Sequence, residues 1–410
     1  MNLVPEFELN EAQRALRADI REFVAEELDP LDVNDWEWRE DPDDRVPWGA
    51  IEAATERGLK DLTVPEEFGG MDASALTLTM AAEEMAAGEM GVAVVFDQNW
   101  KIARIVDQMA SDDVREAFFP DYREDPRHLL AVCLTEPDNG SNHITNIDGM
   151  QFSTTAEKDG GEWVLNGKKR YQSNAADAKT YVVFAQTDPS VPAKDGTTAF
   201  FVPRESDGLS VTHVWEKISQ RMVNNATVEF DDVRVPERYV LGEVNGAKSD
   251  EGDAAGSKES NIEAGAIALG TGRRAFEDAF AYAHEREQGG KPIIEHQTIA
   301  HDFAKMAMDL QAARALLWTA ARAVDRQGED YQYEYGAMGK VYAAEVAFDV
   351  AKRSLEKFGG AGIMLETEYP MQKYLRDALS YLHSDGTQEA HTDRVADALR
   401  ASYRAEHAVE

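Results

Sequence analysis

A mostly helical fold with a central β-domain is predicted by three features of this 410-residue chain. Residues 1 to about 128 carry apolar side chains at helical spacing. From Leu129 the pattern changes to short β-branched and aromatic segments, and beyond about residue 243 long helical stripes resume. The expected architecture is an N-terminal helical domain over 1–128, an antiparallel β-domain over 129–242 and a C-terminal four-helix bundle domain over 243–410, with 243–259 a mobile acidic loop. The length suits one intimate multi-domain unit rather than separate beads.

Taken in order, Asn10 and Gln13 resemble a capping box, followed by an apolar stripe of Ala12, Leu16, Ile20 and Phe23. Pro47 opens and Gly58 closes a second helix. Ser74 caps a third over 75–87, a fourth covers about Val92 to Met109, and Ser111 with Asp112 and Asp113 starts another. The strand segments are LLAVCLTEP, EWVLNGKKRYQS, KTYVVFAQTD, TTAFFVPR, LSVTHVWEKI and ATVEFDDVRVP, separated by Gly, Pro, Asn and Asp. The glycine-rich, acidic VNGAKSDEGDAAGSKES reads as an exposed loop. A helix then covers about Ser260 to Glu287. Another carries Ile299, Phe303, Met306, Leu310, Ala313, Leu317 and Val324, and a third Val341, Ala344, Phe348, Ala351 and Leu355, all at three-four spacing.

Charge excludes some functions. With 77 acidic against 42 basic residues the formal net charge is −35, a field that repels nucleic acid and anionic membrane surfaces. The acid is spread along the whole chain, as on a protein from a very salty cytoplasm, where molar salt shortens the Debye length to ~3 Å. Cys133 is the only cysteine, so an intrachain disulfide and a Cys metal cage are excluded; in its apolar run it reads as a buried structural thiol. The first thirty residues show no basic start with an apolar core, and no apolar run reaches ~18 residues, so the expectation is a cytoplasmic protein without a membrane span.

The densest information lies between Lys352 and Asp393. A helix there ends in Phe358-Gly359-Gly360-Ala361-Gly362, a short helix follows from Pro370 to Leu382, and Asp385-Gly386-Thr387 opens the last helix. A glycine turn of this kind can simply join two helices, since glycine tolerates positive φ. It also leaves backbone N–H groups free at helix ends, which suits a phosphate-bearing ligand. Further motifs stand at Cys133-Leu134-Thr135-Glu136-Pro137-Asp138-Asn139-Gly140-Ser141, at Asn166 to Asn174 (NGKKRYQSN), at Glu285-Arg286 with Gly290, at Glu295-His296-Gln297 and at Tyr374-Leu375-Arg376-Asp377-Ala378.

In order and spacing over nearly the full chain, these motifs together resemble the acyl-CoA dehydrogenase family. The resemblance implies FAD as cofactor, an acyl-CoA thioester as substrate, electron-transfer flavoprotein as acceptor and a homotetramer arranged as a dimer of dimers. It places Thr135, Ser141, Tyr171 and Ser173 at the FAD, with Tyr171 where the family usually has Trp over the flavin and Ser173 where a Thr usually meets its N5 edge. Arg286 matches an arginine that reaches the FAD of a neighbouring subunit, and Gln297 a polar contact to that FAD. Gly359, Gly360, Thr387 and Glu389 complete the implied cofactor set.

The implied reaction removes an α-proton to a carboxylate and the β-hydrogen as hydride to flavin N5. Most of the family uses Glu in a Glu-Gly-Thr motif; here the residue is Asp385, one methylene shorter. One relative, nitroalkane oxidase, has an aspartate at this place and a smaller substrate without CoA. Another branch, including isovaleryl-CoA dehydrogenase, takes its base from the helix before the arginine, a position that falls at Ser260, which makes the adjacent Glu259 the reserve candidate. Other departures are Gly289 for an aromatic, Glu356 for Gln, Asn261 for an arginine of the substrate site, and the acidic loop. Two alternatives stay open: a flavin oxidase or dehydrogenase on a smaller non-CoA substrate, and a non-catalytic structural partner in a hetero-oligomer.

Overall fold

In the computed structural model, which describes residues 9–142, 149–248, 259–328 and 332–407, Asn10 and Gln13 form the reciprocal cap of helix α1 (Glu11–Phe23). The Asn10 side chain accepts from Gln13 N at 2.8 Å and the Gln13 side chain from Asn10 N at 3.0 Å. The buried stripe of α1 differs from the apolar one expected. It runs through Gln13, Arg17, Ile20 and Phe23, while Ala12 is exposed. Arg17 can face inward because Glu84 meets its Nε at 2.6 Å. Short helix α2 (Val33–Glu37) and helix α3 (Trp48–Glu56), closed by Gly58 at φ 75°, lead to α4 (Ala75–Gly88). Ser74 caps α4 through Thr77 N. Helices α5 (Met90–Met109) and α6 (Asp112–Glu124) complete this part.

Eight strands form the central sheet: β1 (Leu129–Cys133), β2 (Thr155–Asp159), β3 (Glu162–Ser173), β4 (Ala178–Gln186), β5 (Thr197–Pro203), β6 (Leu209–Val214), β7 (Asn225–Pro236) and β8 (Val240–Leu241). Their order is β6-β7-β3-β2-β4-β5-β8, with β1 beside β4. The sheet is mixed rather than purely antiparallel, because β1 runs parallel to β4 from Leu129 to Cys133. The chain reaches β4 only after passing through β2 and β3, so the connection from β1 is a crossover and not a hairpin. Cys133 is buried, and burial pushes its thiol up to about 12.

Helices return as α7 (Ser260–Glu285), α8 (Gln297–Gln327), α9 (Tyr333–Glu356), α10 (Met371–Ser380) and α11 (Gln388–His407), with a hairpin, β9 (Glu287–Gln288) and β10 (Lys291–Pro292), between α7 and α8. Most of the acidic loop expected over 243–259 lies outside the described residues. Helix α4 is buried nearly all round and lies between α1 and the bundle, so one apolar core joins Ile20, Leu78 and Met85 to Ile267, Leu310 and Val350. The close approach of α4 and α7 requires Gly270, where a Cβ would stand 2.3 Å from Glu83 O. Glu83 and Glu84 then meet Arg314, Arg273, Arg21 and Arg17 inside this packing. Among the described residues, no helix is long and apolar enough to cross a membrane.

Candidate active site

The turn between α10 and α11 presents Asp385. Its backbone is left-handed at φ 51° and Gly386 follows at φ 90°, a shape that aspartate and glycine tolerate better than other residues. Two buried side chains hold this turn from behind. Lys340 Nζ donates to Gly386 O at 2.7 Å, and His391 Nε2 donates to Asp385 O at 2.7 Å. Burial drives the Lys340 ammonium down to about 8 and the His391 ring to about 4, so His391 is neutral at physiological pH. The Asp385 carboxyl is left half-exposed.

Facing Asp385 is one stripe of α5, where Asp97, Lys101 and Arg104 recur at i, i+4 and i+7. Lys101 Nζ lies 2.8 Å from Asp97 Oδ2 and 3.1 Å from Asp385 Oδ2. Asp97 is fully buried and burial raises its carboxyl to about 8, although the neighbouring Lys101 pulls the other way. Lys101 is held above its usual range: burial opposes its charge, but Asp385, Asp97 and Glu263 outweigh that. One turn further along α5, Arg104 bridges Glu259 Oε2 at 3.0 Å and Glu263 Oε1 at 3.1 Å at the start of α7. The two candidate bases therefore differ in setting. Asp385 retains 29 % side-chain exposure and shares a lysine, whereas Glu259 retains 16 % and is clamped by an arginine.

The implied flavin residues of the β-domain converge near this turn. Thr135 O, just past β1, accepts from Arg170 N at 2.8 Å and Gln172 Nε2 at 2.8 Å, which sets Thr135 against the end of β3 that carries Tyr171 and Ser173. Asn225 Nδ2 donates to Tyr171 O at 2.8 Å and Ser173 Oγ at 3.2 Å. Ser141 Oγ accepts from Thr387 N at 3.1 Å, tying the loop after β1 to the Asp385 turn. Thr387 Oγ1 in turn caps α11 through Ala390 N, and Glu389 is exposed in its first turn. Where the chain leaves β1, buried Glu136 accepts from Ser153 N, Thr154 N and Lys169 Nζ.

Arg286, Gln297, Gly359 and Gly360 are elsewhere. Arg286 caps the C-terminus of α7 and Gln297 opens α8. Gly359 follows α9, and the ring of Phe358 before it stacks on Tyr282 at 4.1 Å, near the same end of α7. Glu259 stands at the other end of this 26-residue helix, roughly 39 Å away at 1.5 Å per residue. Within one chain, then, the implied cofactor residues form two groups too far apart to touch one flavin ring.

The chemistry of both groups suits FAD. Tyr171 is held at φ 67° and is 48 % exposed, its ring packed against Trp215 at 4.8 Å between centroids, and the half-buried Thr135 and Ser173 supply hydroxyls on the neighbouring backbone. Gly359 is exposed at φ 57° and nothing lies within 4 Å of where its Cβ or that of Gly360 would be, leaving the backbone open to an anion, and the Arg286 guanidinium is exposed and of the right charge for one. Glu356 is exposed and free to turn from such an anion, and a Cβ on Gly289 would press on the His296 ring at 3.3 Å. Sequence reasoning missed Asp97, Lys101 and Arg104. The available signal was three charges at i, i+4 and i+7 on one side of a helix whose first turns are apolar.

Comparison with known proteins identifies the family. Family models for the acyl-CoA dehydrogenase N-terminal, middle and C-terminal domains match residues 10–124, 131–233 and 258–400. The chain is 31 % identical over 387 residues to the short/branched chain specific acyl-CoA dehydrogenase, mitochondrial, of Rattus norvegicus, covering 94 % of this chain and 84 % of that protein. Butyryl-CoA dehydrogenase from Megasphaera elsdenii superposes with a TM-score of 0.86 at 27 % identity, over 96 % of this chain and 99 % of the other. A glutaryl-CoA dehydrogenase from Mycobacterium smegmatis in complex with FADH2 gives 0.85 at 26 %, over 97 % and 96 %. The chain belongs to the acyl-CoA dehydrogenase family, the FAD-dependent oxidoreductases that act on acyl-CoA thioesters.

Proposed function

We propose that this enzyme removes the α- and β-hydrogens of an acyl-CoA thioester, with Asp385 as the base that takes the α-proton. The observation that carries this assignment is the contrast between the two carboxylates. Asp385 projects half-exposed from a turn whose backbone is pinned by Lys340 and His391, while Glu259 is clamped by Arg104. A fixed turn positions the shorter Asp side chain, which matters because a ~1 Å error can lower a rate ~10²-fold. Lys101 keeps the Asp385 carboxylate aimed from α5, and Asp97, proton-bearing up to about pH 8, leaves most of the Lys101 charge to Asp385.

Thr135, Ser141, Tyr171, Ser173 and Thr387 would hold the flavin end of FAD. Glu389, in the first turn of α11 two residues after Thr387, belongs with this first group, while Arg286, Gln297, Gly359 and Gly360 would complete a cofactor site across a subunit boundary. The separation of the two groups along α7 supports this division and with it a homotetramer built as a dimer of dimers. FAD, when bound, supplies the two-electron acceptor, and electron-transfer flavoprotein is the expected onward partner in the cytoplasm.

The test is an absorption spectrum of the purified protein in high salt, followed by anaerobic titration with acyl-CoAs. Flavin bands that bleach with a thioester support the reading. Bound flavin that bleaches only with a small non-CoA substrate would refute it.

A further inference from the structure

The turn between β6 and β7 holds a cation against the flavin residues of the β-domain. Lys217 Nζ donates to Val223 O at 2.7 Å and to Asn225 Oδ1 at 2.6 Å. The other end of the same amide, Asn225 Nδ2, donates to Tyr171 O at 2.8 Å and to Ser173 Oγ at 3.2 Å. Its direction is fixed from both ends, since an ammonium only donates and a carbonyl only accepts. Opposite it, β3 carries one extra residue against β7 between Lys169 and Gln172, and Tyr171 takes its positive φ in that bulge. One side chain therefore separates Lys217 from both Tyr171 and Ser173. The charge on Lys217 is also left uncompensated. Lys101, Lys169 and Lys373 each meet a carboxylate, whereas among the described residues none ion-pairs with Lys217. The acids around the turn are engaged elsewhere: Glu216 with Arg45 and Arg221, Asp377 with Lys373 and Gln220 N, and Glu37 with Arg376.

We propose that Lys217 is a positioning residue for the reaction, a fixed positive charge, held by Asn225, that makes the bound flavin easier to reduce. The inference rests on the reading that Tyr171 and Ser173 meet the flavin. A hydride carries two electrons and one proton, so the ring that accepts it gains one negative charge, which a preorganised cation favours. A ring in contact with Ser173 lies on the order of 10 Å from Lys217 Nζ. At an effective dielectric of ~20, a unit charge at that distance shifts an equilibrium roughly ten-fold.

The reduction potential of the flavin in the holoenzyme, measured without substrate by equilibration with a redox dye, tests this in wild type, Lys217→Met, Lys217→Gln and Lys217→Arg. Burial, helped by Arg221 and Arg45 and opposed by Asp377 and Glu37, brings the Lys217 ammonium down to about 7. The measurement is therefore made at pH 6, with the charge in place. Lys217→Met and Lys217→Gln should each lower the ratio of reduced to oxidised flavin about ten-fold at a given dye potential, which is ~30 mV for a two-electron couple. Lys217→Arg keeps the cation and should stay within about two-fold of wild type. Glutamine separates charge from contact, because its amide can still donate to Asn225. Met and Gln variants with the wild-type potential would overturn the inference, as would an Arg variant that falls with them. A Gln variant that keeps the potential while Met loses it would also overturn it, by assigning the effect to the hydrogen bond. Should Lys217→Met fail to fold or to hold FAD, the Gln and Arg variants decide. Ser173→Ala and Tyr171→Ala proteins that retain FAD as tightly as wild type would sink the flavin placement and this inference with it. Weakened retention there, with the potential unmoved by any Lys217 variant, would refute the role of Lys217 alone.

Discussion

Replacing Asp97 by asparagine tests the protonation state on which the site is built. The Asp97 carboxyl is raised by burial from 3.8 to about 8. Between those values the folded protein keeps a proton that the unfolded chain has released. The folded state therefore binds more protons, and stability must fall as pH rises through that window, levelling off above about 8. At ~1.4 kcal/mol per unit the whole window amounts to something on the order of 5 kcal/mol. Lys101 adds no slope there, because it is charged in both states. The amide of the Asp97→Asn variant mimics the protonated acid and has no such slope. Measured as urea midpoints of the holoenzyme at fixed salt, FAD and protein concentration, the variant should gain on the wild type steadily from pH 5 to pH 8, by roughly 4 kcal/mol in all. Parallel pH curves for the two proteins would show that Asp97 is ionised in the native state and would refute the reasoning.

Three further outcomes are expected. Arg286→Ala should weaken FAD retention by about 10- to 100-fold, read by equilibrium dialysis of the flavin, while circular dichroism stays unchanged, since Arg286 is an exposed helix cap. Glu84→Gln breaks contacts to Arg17, Arg21 and Arg273 in the shared core and should lower stability by ~3–5 kcal/mol in urea denaturation. With a net charge of −35, the denaturation midpoint should rise from ~0.2 M to ~3 M KCl as self-repulsion is screened; a flat response would argue against a surface adapted to high salt.

What could be read from the sequence was local. The Asn10–Gln13 box, the Ser74 cap and the Asp385-Gly386-Thr387 turn each depend on residues within one helical turn, and each took the expected form. Arg17 shows the limit: its burial depends on Glu84, 67 residues away, so Ala12 and Leu16 looked like the inner face. The parallel pairing of β1 with β4 is likewise a long-range choice that period-two alternation cannot express. The base candidates were named from the sequence, but the arginine that separates them in character stands on a different helix. Nothing near Glu259 in sequence indicates that Arg104 would clamp it together with Glu263. The charges of α5 were visible but unweighted, since in an isolated helix a lysine and an arginine read as a solvated face.

Anaerobic stopped-flow bleaching of FAD-loaded wild type, Asp385→Asn and Glu259→Gln by the same acyl-CoA tests the central assignment most directly. If Asp385 is the base, the Asp385→Asn variant should bind FAD normally and bleach ~10²- to 10⁴-fold more slowly, while Glu259→Gln stays within about ten-fold of the wild type. A Glu259→Gln enzyme that loses bleaching while Asp385→Asn retains it would move the base to α7 and contradict the account.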